Sequence, residues 1–321
     1  MTRHSAVPPP VTAVLDASSR WLPARLGRVE QILREQGAGY GDALAQDAAM
    51  TLEAGGKRLR PMLVLLSAGE EGGEEVVRAA AAIELIHMAT LVHDDVLDDA
   101  PLRRGQPTVA ATSGRARATA TGDLLFSRAF ALLASPGDLR SVELLSAASV
   151  ALARGELAQR HDAYDISVSE ARYLERCRLK TATLFECACL LGRDDEAVGA
   201  FGASIGLAFQ LLDDVLDVTG PPERTGKARG TDLLDGTVTL PLILAAERVP
   251  EVRGADLRTL DDEGAEWLCD RIEESGALRQ VRSRALEMVA EGKRRLTTAG
   301  FDPERRKLFD LVADGVVQRY S

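Results

Sequence analysis

The chain is poor in aromatic residues: Phe, Trp and Tyr make up 4% of its 321 positions. Strand-favouring runs are also scarce while Ala and Leu are abundant, which leaves little material for sheets and favours helices. Cysteine is limited to Cys177, Cys187, Cys189 and Cys269, none in CxxC spacing. That excludes a zinc knuckle, and reduced thiols in a cytoplasmic protein are expected. There is no excess of positive charge; the formal net charge is -10, which argues against a nucleic-acid partner. No uninterrupted apolar run reaches the ~20 residues of a spanning helix, so no transmembrane segment is expected. The opening stretch lacks the apolar centre of a signal peptide, and residues 1–20 read as a flexible leader. Nothing matches a Ser-His-Asp or Cys-His nucleophile system, a Walker loop or a dinucleotide fingerprint.

From about Trp21 the apolar positions follow helical spacing, as in Leu26, Val29, Ile32 and Leu33. Glycine and proline break the pattern at Gly37–Gly41, Gly55–Gly56, Gly69–Gly73, Pro101–Pro107, Pro136–Gly137, Gly192–Asp195, Gly220–Gly230 and Pro250–Gly254. No linker composition and no solenoid period intervene. The expected architecture is a single all-α domain over 21–321, a large helical bundle of around ten or more helices with a central active-site cavity.

Within this apolar background the pentapeptide Asp-Asp-Val-Leu-Asp occurs twice, at Asp94–Asp98 and Asp213–Asp217. One Asp-rich pentapeptide is ordinarily a solvated helix face or a turn. Two identical copies, each following an apolar stretch (Ile86 to His93 and Leu207 to Leu212), have no such explanation. If both stretches are helical, Asp94 and Asp98 share one face, as do Asp213 and Asp217. Two such faces brought together across a bundle would form a cage of oxygen ligands suited to Mg²⁺.

The remaining informative residues are basic. Gly55-Gly-Lys-Arg-Leu-Arg60-Pro sets three cations beside a glycine pair that permits close approach of a polyanion. Leu102-Arg-Arg-Gly105 follows the first acidic motif with two guanidiniums suited to phosphate. Lys180-Thr181 and Gly226-Lys227 add two cationic candidates, although an isolated Lys near a helix end commonly serves only solubility. His87 lies two turns before Asp94 and is either a phosphate partner or a satisfied core histidine. His93 sits off the Asp94/Asp98 face and reads as structural. Carboxylates for Mg²⁺ and cations for phosphate imply a diphosphate whose departure is assisted by metal.

In this order the residues resemble the trans-isoprenyl diphosphate synthases, or polyprenyl synthetases. The similarity runs from about Ala54 to Pro241 through Gly-Gly-Lys-Arg-Leu-Arg-Pro at 55–61, the segment 86–98, Leu-Arg-Arg-Gly-Gln-Pro-Thr at 102–108 and Gly122-Asp123. It continues through Lys180-Thr181, the segment 209–217, Gly226-Lys-Ala-Arg-Gly-Thr-Asp232 and Thr239-Leu-Pro241.

The resemblance implies the isoprenoid synthase fold, a homodimer, and head-to-tail (1′-4) condensation of isopentenyl diphosphate with an allylic diphosphate (dimethylallyl, geranyl or farnesyl). It implies three Mg²⁺ ions, two on Asp94 and Asp98 and the third on Asp213, with Asp95, Asp214 and Asp217 in support. Lys57, Arg60, His87 and Arg104 match the isopentenyl diphosphate site. Arg103, Lys180, Thr181, Gln210 and Lys227 match the groups around the allylic diphosphate. One departure stands out: Thr237 follows Gly236 where the family commonly carries lysine. Arg229 is the candidate to compensate for it.

For chain length, the resemblance implies that a bulky aromatic five residues before the first aspartate stops growth early. Here that position is Ala89, with Thr90 beside it and Ile86 and Ile83 deeper, and Phe126 or Phe130 as a candidate floor. An open path predicts a product of C30 or longer, with geranylgeranyl diphosphate (C20) as the alternative. In the other reading of Ala89 it is small because two helices pack closely. A terpene cyclase or a non-catalytic partner subunit are the competing functions. The first has no use for Lys57, Arg60, His87 and Arg104, and the second ordinarily carries degraded acidic motifs.

Overall fold

Alanine- and leucine-rich stretches punctuated by glycine and proline fold as helices throughout the computed structural model of the protein, which describes residues 9–103, 105–134, 137–220 and 229–318. In chain order the first helices are α1 (Pro9–Ala17), α2 (Leu22–Gly37), α3 (Asp42–Glu53), α4 (Leu59–Ala68) and α5 (Glu74–Leu97). A hairpin of β1 (Leu102–Arg103) and β2 (Gln106–Pro107) follows, pairing Leu102 with Pro107 and Arg103 with Gln106. Then come α6 (Val109–Ser113), α7 (Arg115–Ala134), α8 (Leu139–His161), α9 (Glu170–Cys177), a π-helical turn (Arg178–Ala182), α10 (Thr183–Gly192) and α11 (Glu196–Thr219). The last elements are α12 (Thr231–Leu234), α13 (Leu240–Ala246), α14 (Pro250–Arg253), α15 (Asp262–Glu274), α16 (Ala277–Arg295) and α17 (Pro303–Gln318). The all-α class is thus as the composition predicts.

The chain forms two compact units. One comprises the residues up to Ser149 with Cys187–Gly199 and Ala299–Val312; the other comprises Val150–Glu186, Ala200–Thr298 and the residues from Ala313 onward. The divisions fall inside α8, α10, α11 and α17, which is why no linker composition marks them.

In the first unit α5 is the central helix, packed against α2, α4 and α7. Its residues from Ala79 to Leu85 are all buried, apolar but for Glu84, as befits the central helix of a core. The run Ala79–Ala82 lets neighbours approach closely. Glu74 and Glu75 favour its N-terminus, and the Glu75 carboxylate accepts the Gly73 N–H at 3.0 Å. It stops where Asp99 takes φ 49 and Pro101 forbids continuation. In the second unit α13 is wholly buried and packs against α15 and α16.

Two expectations need adjustment. Residues 9–17, assigned to a flexible leader, are helical, and Val14 is only 1% exposed. A buried valine anchors the segment, and proline is tolerated in a first helical turn. The helices α5 and α11 are also long and apolar enough, by length and composition, to cross a membrane. Most of each is buried within the protein, the ordinary state of a core helix.

Candidate active site

The first acidic motif closes α5. Asp98 is its C-terminal cap and donates its N–H to the Asp94 carbonyl at 2.8 Å, so the two aspartates follow one another on a single face. Asp94 is half-buried and Asp98 exposed. Asp95 points elsewhere: it is 7% exposed and accepts Arg103 Nε at 2.7 Å. The hairpin therefore folds back so that Arg103, matched to the allylic diphosphate, holds the middle carboxylate of the motif. Thr108 supports this return, donating its N–H to the Pro101 carbonyl and its hydroxyl to the Ala100 carbonyl while capping α6. Arg104 lies outside the described residues.

Lys57 and Arg60 flank the start of α4, Arg60 in its first turn where unpaired N–H groups favour anions. His87 is half-buried on α5, two turns before Asp94. His93 packs where Gly122 leaves room, since a Cβ at Gly122 would lie 2.3 Å from its ring, and its Nε2 is 3.4 Å from Asp123 Oδ1. His93 thus packs against α7 off the Asp94/Asp98 face, and Gly122 is the residue that leaves room for its ring.

Of the chain-length candidates, Ala89, Ile86 and Ile83 are fully packed, each 0% exposed. Their burial supports close helix packing as the reason for the small residue at 89. Thr90 is half-buried and donates its hydroxyl to the His87 carbonyl at 2.8 Å. Phe126 and Phe130 are half-buried with ring centroids 5.5 Å apart.

The second acidic motif lies in the last turns of α11. Asp213 is exposed and Asp217 half-buried, its carboxylate accepting the Asp232 N–H at 3.2 Å and its carbonyl the Gly230 N–H at 2.9 Å. Asp214 is buried beneath them. It accepts the Tyr173 hydroxyl at 2.5 Å and Gln210 Nε2 at 2.9 Å, and Thr181 Oγ1 donates to Gln210 Oε1 at 2.8 Å. A chain Thr181–Gln210–Asp214–Tyr173 thus ties the Lys180-Thr181 pair to the second motif. Burial, together with the Asp232 and Asp213 carboxylates, pushes Asp214 up to about 8. Burial and Asp214 raise the Tyr173 hydroxyl well above its ordinary value, and push the Cys177 thiol up to about 12.

Lys180 projects from the π-helical turn, a feature that recurs at functional sites. Two glycines make room for that turn: a Cβ at Gly155 would lie 2.6 Å from the Lys180 nitrogen, and one at Gly206 2.7 Å from the Ala182 Cα. The Lys180 ammonium pairs with Glu156, which also accepts Arg160 Nε at 3.0 Å. Burial alone would raise Glu156, but Lys180 and Arg160 hold it below the usual carboxylate range. Lys227 lies outside the described residues. Arg229, the candidate to compensate for Thr237, is engaged within the protein: it donates to the Val218 carbonyl and pairs with Glu266, Asp270 and Glu273.

The donor set fits a hard divalent cation. Both motifs stand at the carbonyl ends of their helices, where the macrodipole disfavours negative charge, and neither helix has a basic residue in its last turn. The rise at Asp214 owes most to burial, and the Asp232 and Asp213 carboxylates nearby add to it. Among the described residues no three acidic, His or Cys side chains converge into a complete metal cage. Mg²⁺ needs none, because it is ordinarily held by one or two carboxylates with water and substrate phosphate.

Sequence reasoning missed Glu156, Tyr173 and the two glycines at the π-helical turn. Lone glycines within apolar helical stretches were the available signal for Gly155 and Gly206. Tyr173 and Glu156 carried none.

The sequence model of the polyprenyl synthetase family matches residues 42–265. Heptaprenyl diphosphate synthase component 2 of Geobacillus stearothermophilus is 43% identical over 73% of this chain and 77% of its own length. Geranylgeranyl diphosphate synthase of Methanosarcina mazei is 35% identical over 84% of this chain and 87% of its own. A solved polyprenyl synthase from Caulobacter crescentus, complexed with calcium and isoprenyl diphosphate, superposes with a TM-score of 0.88 at 33% identity, covering 97% of this chain and 98% of that one. With the family's acidic and basic motifs in place along one all-α chain, the protein belongs to the polyprenyl synthetase family of trans-isoprenyl diphosphate synthases and is a prenyltransferase.

Proposed function

We propose that the protein condenses isopentenyl diphosphate with an allylic diphosphate, head to tail and with Mg²⁺, to give an all-trans polyprenyl diphosphate of C30 or longer. The observation that carries this reading is the repeated acidic motif at the carbonyl ends of two helices in a member of this family. Asp94, Asp98 and Asp213 are the residues that would hold three metal ions. Bound there, Mg²⁺ supplies positive charge to a leaving diphosphate oxygen.

The chain's own groups do the rest. Arg103, Lys180, Thr181, Gln210 and Lys227 orient the allylic diphosphate, and Lys57, Arg60, His87 and Arg104 hold isopentenyl diphosphate. The allylic C–O bond breaks to release pyrophosphate, and the isopentenyl double bond attacks the resulting cation to form the new C–C bond. A proton leaves the adduct to the released pyrophosphate. Fixed cations favour the steps in which negative charge gathers on that pyrophosphate.

The long product is supported by the 43% identity to a heptaprenyl synthase component and by the modest size of Thr90, which is half-buried beside the packed Ala89. Geranylgeranyl diphosphate is the second reading, favoured by the packing of Ala89 and by the Methanosarcina mazei relative. We place the enzyme in the cytoplasm as a homodimer, with α5 and α11 as core helices. The word "component" in the Geobacillus relative's name makes assay of this chain alone informative.

Purified protein incubated with Mg²⁺, farnesyl diphosphate and labelled isopentenyl diphosphate tests the whole reading. Chromatography of the dephosphorylated alcohols should show C30 or longer. A product no longer than C20 overturns the length, a hydrocarbon points to a cyclase, and no product by this chain alone points to a partner-dependent subunit.

A further inference from the structure

Three cations stand together in Gly55-Gly-Lys-Arg-Leu-Arg60-Pro, and the structure separates one from the other two. Arg58 is a non-glycine residue in the left-handed region, φ 48 and ψ 37, at the cap position of α4. If the chain needed only the backbone turn, glycine would serve at lower cost, as it does at Gly55 with φ 75. An arginine kept in that conformation has work for its side chain.

That side chain is turned inward. Arg58 Nε donates to Glu30 Oε1 at 2.5 Å, one terminal nitrogen to Glu84 Oε1 at 2.9 Å, and the other to Glu30 Oε2 at 3.3 Å and the Leu52 carbonyl at 3.4 Å. The guanidinium is 13% exposed and Glu84 5%. Burial works against its charge, but the bonds to Glu30 and Glu84 outweigh it and raise Arg58 above its ordinary value. Two carboxylates and a carbonyl take four of its five N–H groups, so a diphosphate finds no favourable field there.

The partners identify what the tie positions. Glu30 is on α2, and Glu84 is on α5 one turn before His87. Arg58 lies between Lys57 and Arg60. One planar group therefore pins the start of α4 to two helices, and its left-handed backbone sets the directions in which its neighbours leave the chain.

We propose that Arg58, held by Glu84 and Glu30, positions Lys57 and Arg60 for the diphosphate of isopentenyl diphosphate without touching it. The inference rests on the role assigned above to Lys57 and Arg60. Glu84 and Glu30 act through Arg58 in the same sense.

Arg58→Gly tests it, because glycine keeps the left-handed turn and deletes the guanidinium. Binding of isopentenyl diphosphate is measured by calorimetry without allylic substrate, alongside KM for both substrates and the thermal midpoint. Arg58→Gly should weaken isopentenyl diphosphate binding about tenfold, the scale of a slightly misplaced group. The allylic KM should stay within about twofold, and in an Arg60→Ala background the same change should add no more than about twofold. Millimolar guanidinium chloride should restore part of the binding. Should Arg58→Gly fold poorly, Glu84→Gln supplies the same selective loss in a smaller amount. A lowered thermal midpoint with unchanged binding, equal effects on both substrates, or full additivity with Arg60→Ala overturns the inference. Wild-type protein that binds isopentenyl diphosphate but forms no product refutes the proposed reaction and leaves the positioning test intact. Wild-type protein that does not bind it refutes both.

Discussion

The same five residues, Asp-Asp-Val-Leu-Asp, end α5 and α11, yet the two copies hold their middle carboxylates by opposite means. Asp95 is met by a cation, Arg103, 2.7 Å away. Asp214 is met by a neutral hydroxyl and a neutral amide, from Tyr173 and Gln210, in a fully buried place. A charge paired with a charge stays ionised; a buried carboxyl with neutral partners and other carboxylates nearby keeps its proton. Identical sequence therefore yields one motif whose supporting residue is paired with a guanidinium and another whose supporting residue holds its proton to about pH 8 in the metal-free protein. The surroundings, and not the motif, decide the chemistry of the middle position.

The outer aspartates should erase that contrast. Asp94→Ala and Asp213→Ala should each lower turnover by at least about a thousandfold while circular dichroism shows an intact helical fold. EDTA should abolish activity and Mg²⁺ restore it. Full activity in EDTA would refute the metal assignment for both copies.

The basic residues near each copy sharpen the contrast at the next level. Arg60→Ala should raise KM for isopentenyl diphosphate and Lys180→Ala that for the allylic substrate. Each loses a charge-assisted contact of about 1.5–3 kcal/mol, roughly one to two decades. Initial-rate kinetics with each substrate varied in turn provides the check, and equal effects on both substrates would count against separate sites.

The middle residues test the comparison directly. Asp95→Asn leaves Arg103 without its charged partner and should destabilise by about 1–2 kcal/mol at pH 7 in urea titrations. Asp214→Asn mimics the protonated acid. The folded state raises Asp214 from 3.8 to about 8, so its contribution is fully present below pH 3.8 and is lost as pH rises through about 8. In EDTA the wild-type thermal midpoint should therefore fall relative to Asp214→Asn across that window. Parallel profiles for the two proteins would remove the distinction between the motifs.

The smallest effect concerns Cys177, which neighbours Tyr173 and Asp214. With its thiol pushed up to about 12 and buried, it should resist iodoacetamide at pH 8 until the protein is denatured. Mass mapping of native and unfolded samples provides the check, and rapid native labelling would show that the packing beneath the second motif admits solvent.

The paired motifs at Asp94–Asp98 and Asp213–Asp217 stand out in one dimension because clustered charge inside apolar sequence is anomalous without any knowledge of partners, and the metal role proposed for Asp94, Asp98 and Asp213 rests on that. The helical class followed from periodicity for the same reason. Partners were not legible. Arg58 looked like another phosphate cation, and only its pairing with Glu84, 26 residues away, shows it turned inward. Arg229 looked available to replace a missing lysine, but three acids of α15 already hold it. Ala89 looked like an opening, although a small residue serves an open path and a tight packing equally well until burial distinguishes them. Residue type predicts what a group is able to do, whereas its neighbours in space decide what it does.

The C-terminal end of α4 is held by residues from far along the chain, and this bears on how the protein is made. Arg305 donates to the Leu66 and Ser67 carbonyls, and both Arg305 and Arg193 lie over the Phe301 ring. Arg305 reaches Leu66 across 239 residues. At ribosomal rates of about 5–20 residues per second, α4 waits on the order of ten to fifty seconds for the residue that completes it. The unit that begins the chain is therefore among the last to be finished, and a nascent chain stalled before residue 305 exposes an unfinished helix end to whatever waits at the ribosome exit.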